Sequence, residues 1–190
     1  FDLADPAAPV KRDTLWFPGY GSDVAAASDR FFFVLTQNPS QWWNSIVSII
    51  DISDPDGSMR TLSSIYPEGY VQDKFKLNVS GDVLTIISQV RTTNLLTKLQ
   101  TFSLADPARP KSLGELYLGL SEQLYATRFD GNRVYVVTFH VEWRMDPLWV
   151  VDLSNPRQPR IVGELQVPGW STYIHPLGDR LVTIGIDITN

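Results

Sequence analysis

The chain repeats one short phrase four times, and this repetition constrains its fold more than any other feature. Each copy contains an Asp-Pro or Asn-Pro step, and these steps begin at positions 5, 54, 106 and 155, at intervals of 49, 52 and 49 residues. A regular period of this length is the signature of repeat architectures, in which each repeat forms one small unit of secondary structure. We therefore expect the chain to fold as a row of similar units.

Each unit contains four short runs of strand-forming residues separated by turns. Tight turns rich in Gly, Asn and Asp fall at 80–82, 130–132 and 178–179, and these residues supply the positive φ that two-residue hairpins need. The apolar runs that follow them lack the helical period of 3.6 residues. A β-sandwich also has many short strands, but it does not repeat its sequence at this period. The sequence predicts an all-β fold, a β-propeller built from four-stranded antiparallel blades of about 50 residues.

The position of the Asp-Pro phrase divides the chain into blades. We label the strands of a blade A, innermost, to D, outermost, and place the Asp-Pro turn between C and D. The two half-blades could together complete a closed four-bladed ring, or the chain could be an arc of a larger propeller. The short stub before the first phrase favours the arc, whose open blade edges could mediate oligomerisation. The predicted units are a half-blade at 1–17, whole blades at 20–67, 70–118 and 121–168, and a half-blade at 170–190.

Composition excludes several classes of function. The chain has no cysteine and only two histidines, so it has no disulfide framework, no cysteine-ligated metal site and no three-histidine metal site. Its net charge of −5 gives it no basic footprint for nucleic acid. It contains no apolar run long enough to span a membrane. We predict no cofactor and no metal, and assign the Asp of the repeated phrase to fixing the turn by accepting backbone N–H groups.

The last repeat carries a resemblance to a known family. Residues 125–139 read Tyr-Ala-Thr-Arg-Phe-Asp-Gly-Asn-Arg-Val-Tyr-Val-Val-Thr-Phe, and residues 168–176 read Pro-Gly-Trp-Ser-Thr-Tyr-Ile-His-Pro. This stretch resembles secreted bacterial and archaeal proteins that carry a C-terminal β-propeller domain. The resemblance is close over 125–185 and looser over 1–124. It implies a propeller in an extracytoplasmic or secreted setting, and it implies no particular activity.

Aromatic residues collect in the loops of one predicted face. In a propeller, the loops between B and C and those between D and A lie on the same face. Exposed Trp and Tyr rings there could contact a partner protein or peptide or stack on a glycan, or they could fill the wedges between blades. Side chains of adjacent residues point in opposite directions, so we expect that Trp42 and Trp43 are not both buried. The candidate loop residues are Trp42, Trp43 and Trp143 between B and C, and Tyr20, Tyr70 and Trp170 between D and A.

Few charged residues fall on the predicted inner strands. His175 lies there with Tyr173 and Asp179 as neighbours, where it could act as a base or serve as a structural histidine. Lys74, Lys76 and Arg128 are the other charged candidates near the axis, whereas His140 lies in a variable loop and is expected to be solvated. No serine is marked as a nucleophile, and we predict no catalytic residue.

These observations favour binding over catalysis. The function they predict is a non-catalytic extracytoplasmic scaffold that binds a protein, peptide or glycan through its aromatic loop face, with His175 as a further candidate binding residue. The alternative is a propeller-type hydrolase or lyase with its site near the central axis. The inner strands offer little acid–base chemistry for that alternative, since they carry no obvious acid partner for His175.

Overall fold

The protein consists of antiparallel β-sheets. A computed structural model describes residues 1–17, 23–28, 30–140 and 145–186, with the backbone alone at 23–27, 145–146, 167–168 and 170. The described residues form strands and one short 3-10 helix, and they contain no α-helix. Accordingly, no helix in these ranges is long and apolar enough to cross a membrane. The prediction of an all-β fold made of four-stranded antiparallel sheets is confirmed.

Three sheets have four strands each, hydrogen-bonded in chain order, and a fourth sheet has two strands. Blade 1 comprises β1 (Asp23–Ala27), β2 (Phe31–Gln37), β3 (Ser45–Asp51) and β4 (Arg60–Ile65). Blade 2 comprises β5 (Leu77–Ser80), β6 (Val83–Arg91), β7 (Leu95–Ser103) and β8 (Lys111–Leu118). Blade 3 comprises β9 (Gln123–Asp130), β10 (Arg133–Phe139), β11 (Met145–Asp152) and β12 (Arg160–Pro168). The two-stranded half-blade comprises β13 (Trp170–Leu177) and β14 (Arg180–Ile186).

The first hairpins of blade 2, blade 3 and the half-blade turn at a glycine with positive φ. Gly81, Gly131 and Gly178 have φ values of 56°, 54° and 61°. This backbone region is open to glycine and costly for most other residues, so the tight turns predicted from the sequence place the first and second strands in antiparallel pairs.

The residue types predict the inner strand of blade 2 over 75–79, but the strand begins later. Residues Lys74–Lys76 form a 3-10 helix, and the strand starts only at Leu77. The cause is local, because the carboxylate of Asp73 accepts a hydrogen bond from the backbone N–H of Phe75 and caps the turn. Residue types alone did not reveal this cap, which delays the strand by two positions.

The hydrophobic core lies between neighbouring blades. Ile86 packs in a layer shared with blade 1, whereas the adjacent Ile87 packs in a layer shared with blade 3. Val136 likewise faces blade 2 while Val137 faces the half-blade, and all four side chains are fully buried. Because the second strand of a blade is buried on both faces, it reads as a continuous apolar run rather than an alternating one. Burying each such side chain stabilises the fold by roughly 1.5–3 kcal/mol.

The half-blade has one covered face and one exposed face. Ile174 and Leu181 pack against blade 3. On the opposite face of β14, Val182, Ile184 and Ile186 are 45%, 61% and 52% exposed. Both faces of β10 are covered by neighbouring sheets, whereas in the described part of the chain one apolar face of β14 is exposed.

The repeated phrase forms the same turn in each unit. Gly57 N donates to Asp54 O at 2.9 Å, and Gln158 N donates to Asn155 O at 2.9 Å. In these two turns the side-chain oxygen of the Asp or Asn also accepts a hydrogen bond from the backbone two residues later. Equivalent backbone bonds close the turns that begin at Asp5 and Asp106. The side chains of Asp5, Asp54 and Asn155 therefore accept the turn-fixing hydrogen bonds expected of them.

A second aspartate stands three residues before this turn in blades 1 and 3. Asp51 accepts hydrogen bonds from the hydroxyl and backbone N–H of Ser53 and from Arg60. Asp152 makes the same set of bonds with Ser154 and Arg160. These bonds, the serine bonds first, stabilise the charged form and lower the pKa of Asp51 and of Asp152 from 3.8 to about 2.

This pKa shift predicts how stability depends on acid. Since the pKa of each carboxyl is lower in the folded protein than in the unfolded chain, the charged carboxylate stabilises the fold above pH 3.8. This stabilisation is lost as the pH falls towards 2. Thermal unfolding measured from pH 5 to pH 2 should show a smaller loss of Tm for the double variant Asp51→Asn, Asp152→Asn than for the native protein. The control replaces two other exposed aspartates, Asp56 and Asp130, by Asn. If both double variants lose Tm equally, the two carboxylates do not carry the acid dependence.

The Asp-Pro turn of one blade packs against the preceding blade. Ser63 in blade 1 donates its hydroxyl to Pro107 O at 2.7 Å, and Thr101 in blade 2 donates to Pro156 O at 2.5 Å. Gly114, which pairs with Thr101, lies directly under the turn of blade 3. A Cβ at Gly114 would stand 2.7 Å from Pro156 O and 2.8 Å from Arg157 C. Only glycine allows this close approach of two backbones.

A matched pair of glycines tests this contact. Gly163 holds the corresponding position in blade 3, where the described neighbours of an added Cβ are Val150 side-chain atoms at 3.5 and 3.6 Å. Gly114→Ala should reduce the free energy of unfolding by about 1–3 kcal/mol through overpacking, as measured by urea denaturation. Gly163→Ala should leave it unchanged or slightly higher. Equal losses in the two variants would show that the turn does not pack tightly on Gly114.

Candidate functional site

The loop between β2 and β3 meets the connection from blade 1 to blade 2 on one face of the protein. Ser45 N donates to Gly69 O at 3.1 Å, and Gly69 N donates to the side-chain oxygen of Asn44 at 3.2 Å. Tyr70 N donates to Gln89 O at 2.9 Å, which ties the same connection to β6. The B–C loop of blade 1 and the D–A connection therefore lie side by side, as strand order predicts.

Gly69 makes this junction possible. Its φ is 91°, and a Cβ there would collide with the backbone carbonyl of Gln89. The positive φ and the close backbone approach both require glycine. The backbone of this junction thus fixes the position of the adjacent Tyr70, a residue that is 36% exposed.

Trp42 and Trp43 lie together in the turn of the B–C loop. Their ring centroids are 3.9 Å apart, with the planes tilted by 32°. Trp42 is 60% exposed and Trp43 is 44% exposed, so neither ring fills a wedge between blades. The expectation that Trp42 and Trp43 are not both buried is confirmed. Its reason is wrong, because the rule of opposite directions applies to extended strands and these residues occupy a turn.

Hydrogen bonds within the loop hold the two tryptophans in place. The side-chain amide of Gln37 donates to Trp42 O at 2.7 Å, and the Asn44 amide donates to the Gln41 side-chain oxygen at 2.7 Å. Asn38 Oδ1 accepts the backbone N–H of Ser40 at 3.0 Å. The loop is ordered by its own polar side chains, which reduces the entropy lost on binding a partner.

Arg91 completes this surface, although no sequence pattern points to it. Its guanidinium carbon lies 4.7 Å from the centre of the Trp43 ring, and its side chain is exposed at the end of β6. A cation over an indole face is worth about 0.5–1 kcal/mol at an exposed site. We define Trp42, Trp43, Tyr70 and Arg91 as the aromatic patch. The contact joins blade 1 to blade 2 across the loop face, a pairing that only the three-dimensional structure reveals.

The structure does not describe the side chains of the remaining candidate aromatic residues. Tyr20 and Trp143 lie outside the described residues. Trp170 begins β13, where the structure describes its backbone and not its side chain. The hypothesis that these three residues contribute to binding therefore stays a prediction.

His175 lies on β13, the inner strand of the half-blade, as predicted. Its Nδ1 is 3.4 Å from the hydroxyl of Tyr173, and the two rings stack with centroids 6.2 Å apart. Asp179, the other proposed neighbour, forms its ion pair with Arg180 at 3.9 Å. His140 is 8% exposed, so the expectation that it is solvated is wrong. It follows directly after Phe139, the last residue of β10.

Two partly buried polar networks lie near the loop face. Lys98 in β7 binds Glu68, Glu115 and the Tyr117 hydroxyl. Burial lowers the pKa of this ammonium, but its hydrogen bonds outweigh burial, so the pKa is raised overall. Glu122, beside β9, has its pKa raised by burial although Thr138 Oγ1 donates a hydrogen bond to it. Within the described ranges, no three His, Asp or Glu side chains come together in an arrangement that could hold a metal ion.

Repeated four-stranded sheets, apolar layers between them and loops gathered on one face define a propeller-type protein. The model of the family described as the beta propeller domain matches residues 1–190. The chain belongs to this family.

Two archaeal proteins of uncharacterized function are similar to part of the chain. The one from Methanocaldococcus jannaschii is 49% identical over 67 residues, which is 35% of this chain and 10% of that protein. The one from Archaeoglobus fulgidus is 50% identical over 64 residues, which is 34% of this chain and 10% of that protein. The matched segment thus spans a tenth of the length of each of these relatives.

Proposed function

We propose that this protein is a non-catalytic binding scaffold whose aromatic patch recognises a peptide segment of a partner protein. The observation that carries the proposal is the exposure of Trp42 and Trp43 on a hydrogen-bonded loop, next to the cation of Arg91. Trp and Arg are the residues that most often dominate binding energy at protein interfaces. A partner segment with an apolar side chain beside an acidic one would match both features.

The polar groups of the loop favour a peptide over a glycan. A sugar bound on an aromatic ring also needs hydrogen-bond partners for its hydroxyls. The amides of Gln37 and Asn44 donate within the loop, and the side-chain oxygens of Asn38 and Asn44 accept backbone N–H groups. What the loop presents outward is chiefly indole surface and the Arg91 guanidinium, which suits apolar and acidic side chains.

The alternative function is a hydrolase or lyase with its site near the axis. It would use His175 as a base, and a base needs a partner that orients its ring and supports its charge. The partner present is the Tyr173 hydroxyl, while Asp179 pairs with Arg180 instead. This arrangement supports binding over catalysis.

Two further parts of the proposal concern the protein's setting. We propose an extracytoplasmic location, which rests on the resemblance to secreted proteins and is checked by fractionating cells that express the full-length protein. We also propose that self-association, where it occurs, uses the open apolar face of Val182, Ile184 and Ile186, because unpaired or uncovered sheet surface promotes association.

The binding proposal is tested by panning a displayed library of random peptides against the protein. Selected peptides should be enriched in apolar residues next to Asp or Glu. Trp42→Ala and Trp43→Ala should each weaken a selected peptide about thirtyfold, which corresponds to roughly 2 kcal/mol, in fluorescence anisotropy titrations. Arg91→Gln should weaken it less and reduce the dependence of affinity on salt.

The matched control is Trp16→Ala, which removes an indole that is 90% exposed on the N-terminal segment. It should leave peptide affinity unchanged. The proposal is wrong if no peptide is enriched, or if Trp16→Ala weakens binding as much as Trp42→Ala does. Binding of an oligosaccharide panel in place of peptides would assign the aromatic patch to glycans.

A further inference from the structure

A second site lies away from the loop aromatics, among the inner strands. A pocket of about 130 Å³ opens between the 3-10 helix of blade 2, β9 of blade 3 and β13 of the half-blade. Its walls include Asp73, Phe75, Lys76, Arg128 and Tyr173. Ligand pockets in proteins usually have volumes of roughly 300 Å³ or more. This pocket is smaller and therefore admits only a small chemical group.

Lys76 brings a buried positive charge to this pocket. Its ammonium donates to Asp73 Oδ2 at 3.1 Å and to Tyr125 O at 3.1 Å. Only 2% of the side chain is exposed, and this burial lowers the pKa of the ammonium although Asp73 opposes the effect. A lysine has three N–H donors, and the described contacts use two of them. The third donor has no partner among the described residues and is available to a ligand.

Arg128 is the group in this pocket with no described partner. Its Nε is buried and makes no hydrogen bond with any described residue. No described carboxylate forms an ion pair with its guanidinium, and the pocket's Asp73 pairs with Lys76 instead. Buried N–H groups in folded proteins nearly always have an acceptor, and an unpaired one calls for a specific explanation such as a ligand. A planar guanidinium is suited to bind a carboxylate through two parallel hydrogen bonds.

The other side chains around the pocket add positive charge and apolar surface. Among the described residues that line the pocket, Lys76 and Arg128 contribute two cations against one carboxylate, that of Asp73, in a chain whose net charge is −5. Lys74 adds a further cation, 5.6 Å from the centre of the Phe75 ring. The rings of Phe75 and Tyr173 are 56% and 49% exposed and form apolar walls. The local charge favours an anion, and the aromatic walls favour one that carries an apolar body.

We propose that this pocket binds a carboxylate attached to a small apolar group. Arg128 and the remaining Lys76 donor hold the carboxylate oxygens, while Phe75 and Tyr173 contact the apolar part. The ligand is either a free small organic acid or the acidic side chain of a bound peptide. This site is separate from the aromatic patch and does not depend on the patch's function.

The binding test uses isothermal titration calorimetry with four probes. Benzoate represents a free organic acid, and N-acetyl-glutamate N-methylamide represents an acidic side chain in a peptide. Benzamide is the neutral match of benzoate, and inorganic phosphate is an anion of another class. Benzoate or the glutamate derivative should bind at least tenfold more tightly than benzamide and phosphate, and the tighter of the two identifies the source of the carboxylate. Equal binding of benzoate and benzamide, or tighter binding of phosphate, would overturn the proposal.

Variants separate a binding role from a structural one. Arg128→Met and Lys76→Met should each weaken the tighter carboxylate at least tenfold. The control Arg133→Met, on the exposed turn of the same β9–β10 hairpin, should not change the affinity. Retained affinity in Arg128→Met would overturn the proposal.

The Tm of the ligand-free protein distinguishes a binding arginine from a structural one, because replacing a structural arginine would lower the Tm. Arg128→Met removes a buried donor that has no acceptor, so the Tm of the ligand-free protein should stay the same or rise. Added carboxylate should raise the Tm of the native protein and not that of Arg128→Met. A Tm several degrees lower in ligand-free Arg128→Met would show that the arginine stabilises the fold, and would overturn its assignment to ligand binding.

Discussion

Packing between blades, through both faces of the second strand of each blade, is the interaction on which the rest of this structure depends. Neighbouring side chains on β6 and β10 belong to different apolar layers, one shared with the preceding blade and one with the following blade. A single blade would expose both faces of that strand to water. Folding of each blade therefore requires its neighbours, as in other repeat proteins.

The same packing positions both candidate sites. The aromatic patch spans blades 1 and 2, because Arg91 of one blade covers Trp43 of the other. The inner pocket takes Lys76 from blade 2, Arg128 from blade 3 and Tyr173 from the half-blade. Each candidate site combines residues from neighbouring blades, and neither lies within one repeat. The repeated turns of blades 2 and 3, by contrast, each accept a hydrogen bond from the preceding blade and fix the packing of one blade on the next.

Sequence reasoning predicted those features that repeat and that depend on neighbouring residues. The four-stranded sheets, the glycine turns and the turn-fixing role of Asp54 follow from period, positive φ and local hydrogen bonds. The cation over Trp43 and the unpaired Nε of Arg128 could not be predicted, because they depend on residues far apart in the chain. The opposite directions expected for the side chains of Trp42 and Trp43 are wrong, since the two residues occupy a turn. The solvation expected for His140 is also wrong, since its side chain is buried.

Native-state hydrogen exchange of the Val136→Ala variant tests the mutual dependence of the blades most directly. Val136 is fully buried in the layer between blades 2 and 3, so the substitution opens a cavity that both blades share. Our account predicts faster exchange of the amides in β6 and β7 of blade 2 as well as those in β10 of blade 3. Faster exchange confined to blade 3 would contradict it, because it would mean that each blade is stable without its neighbour.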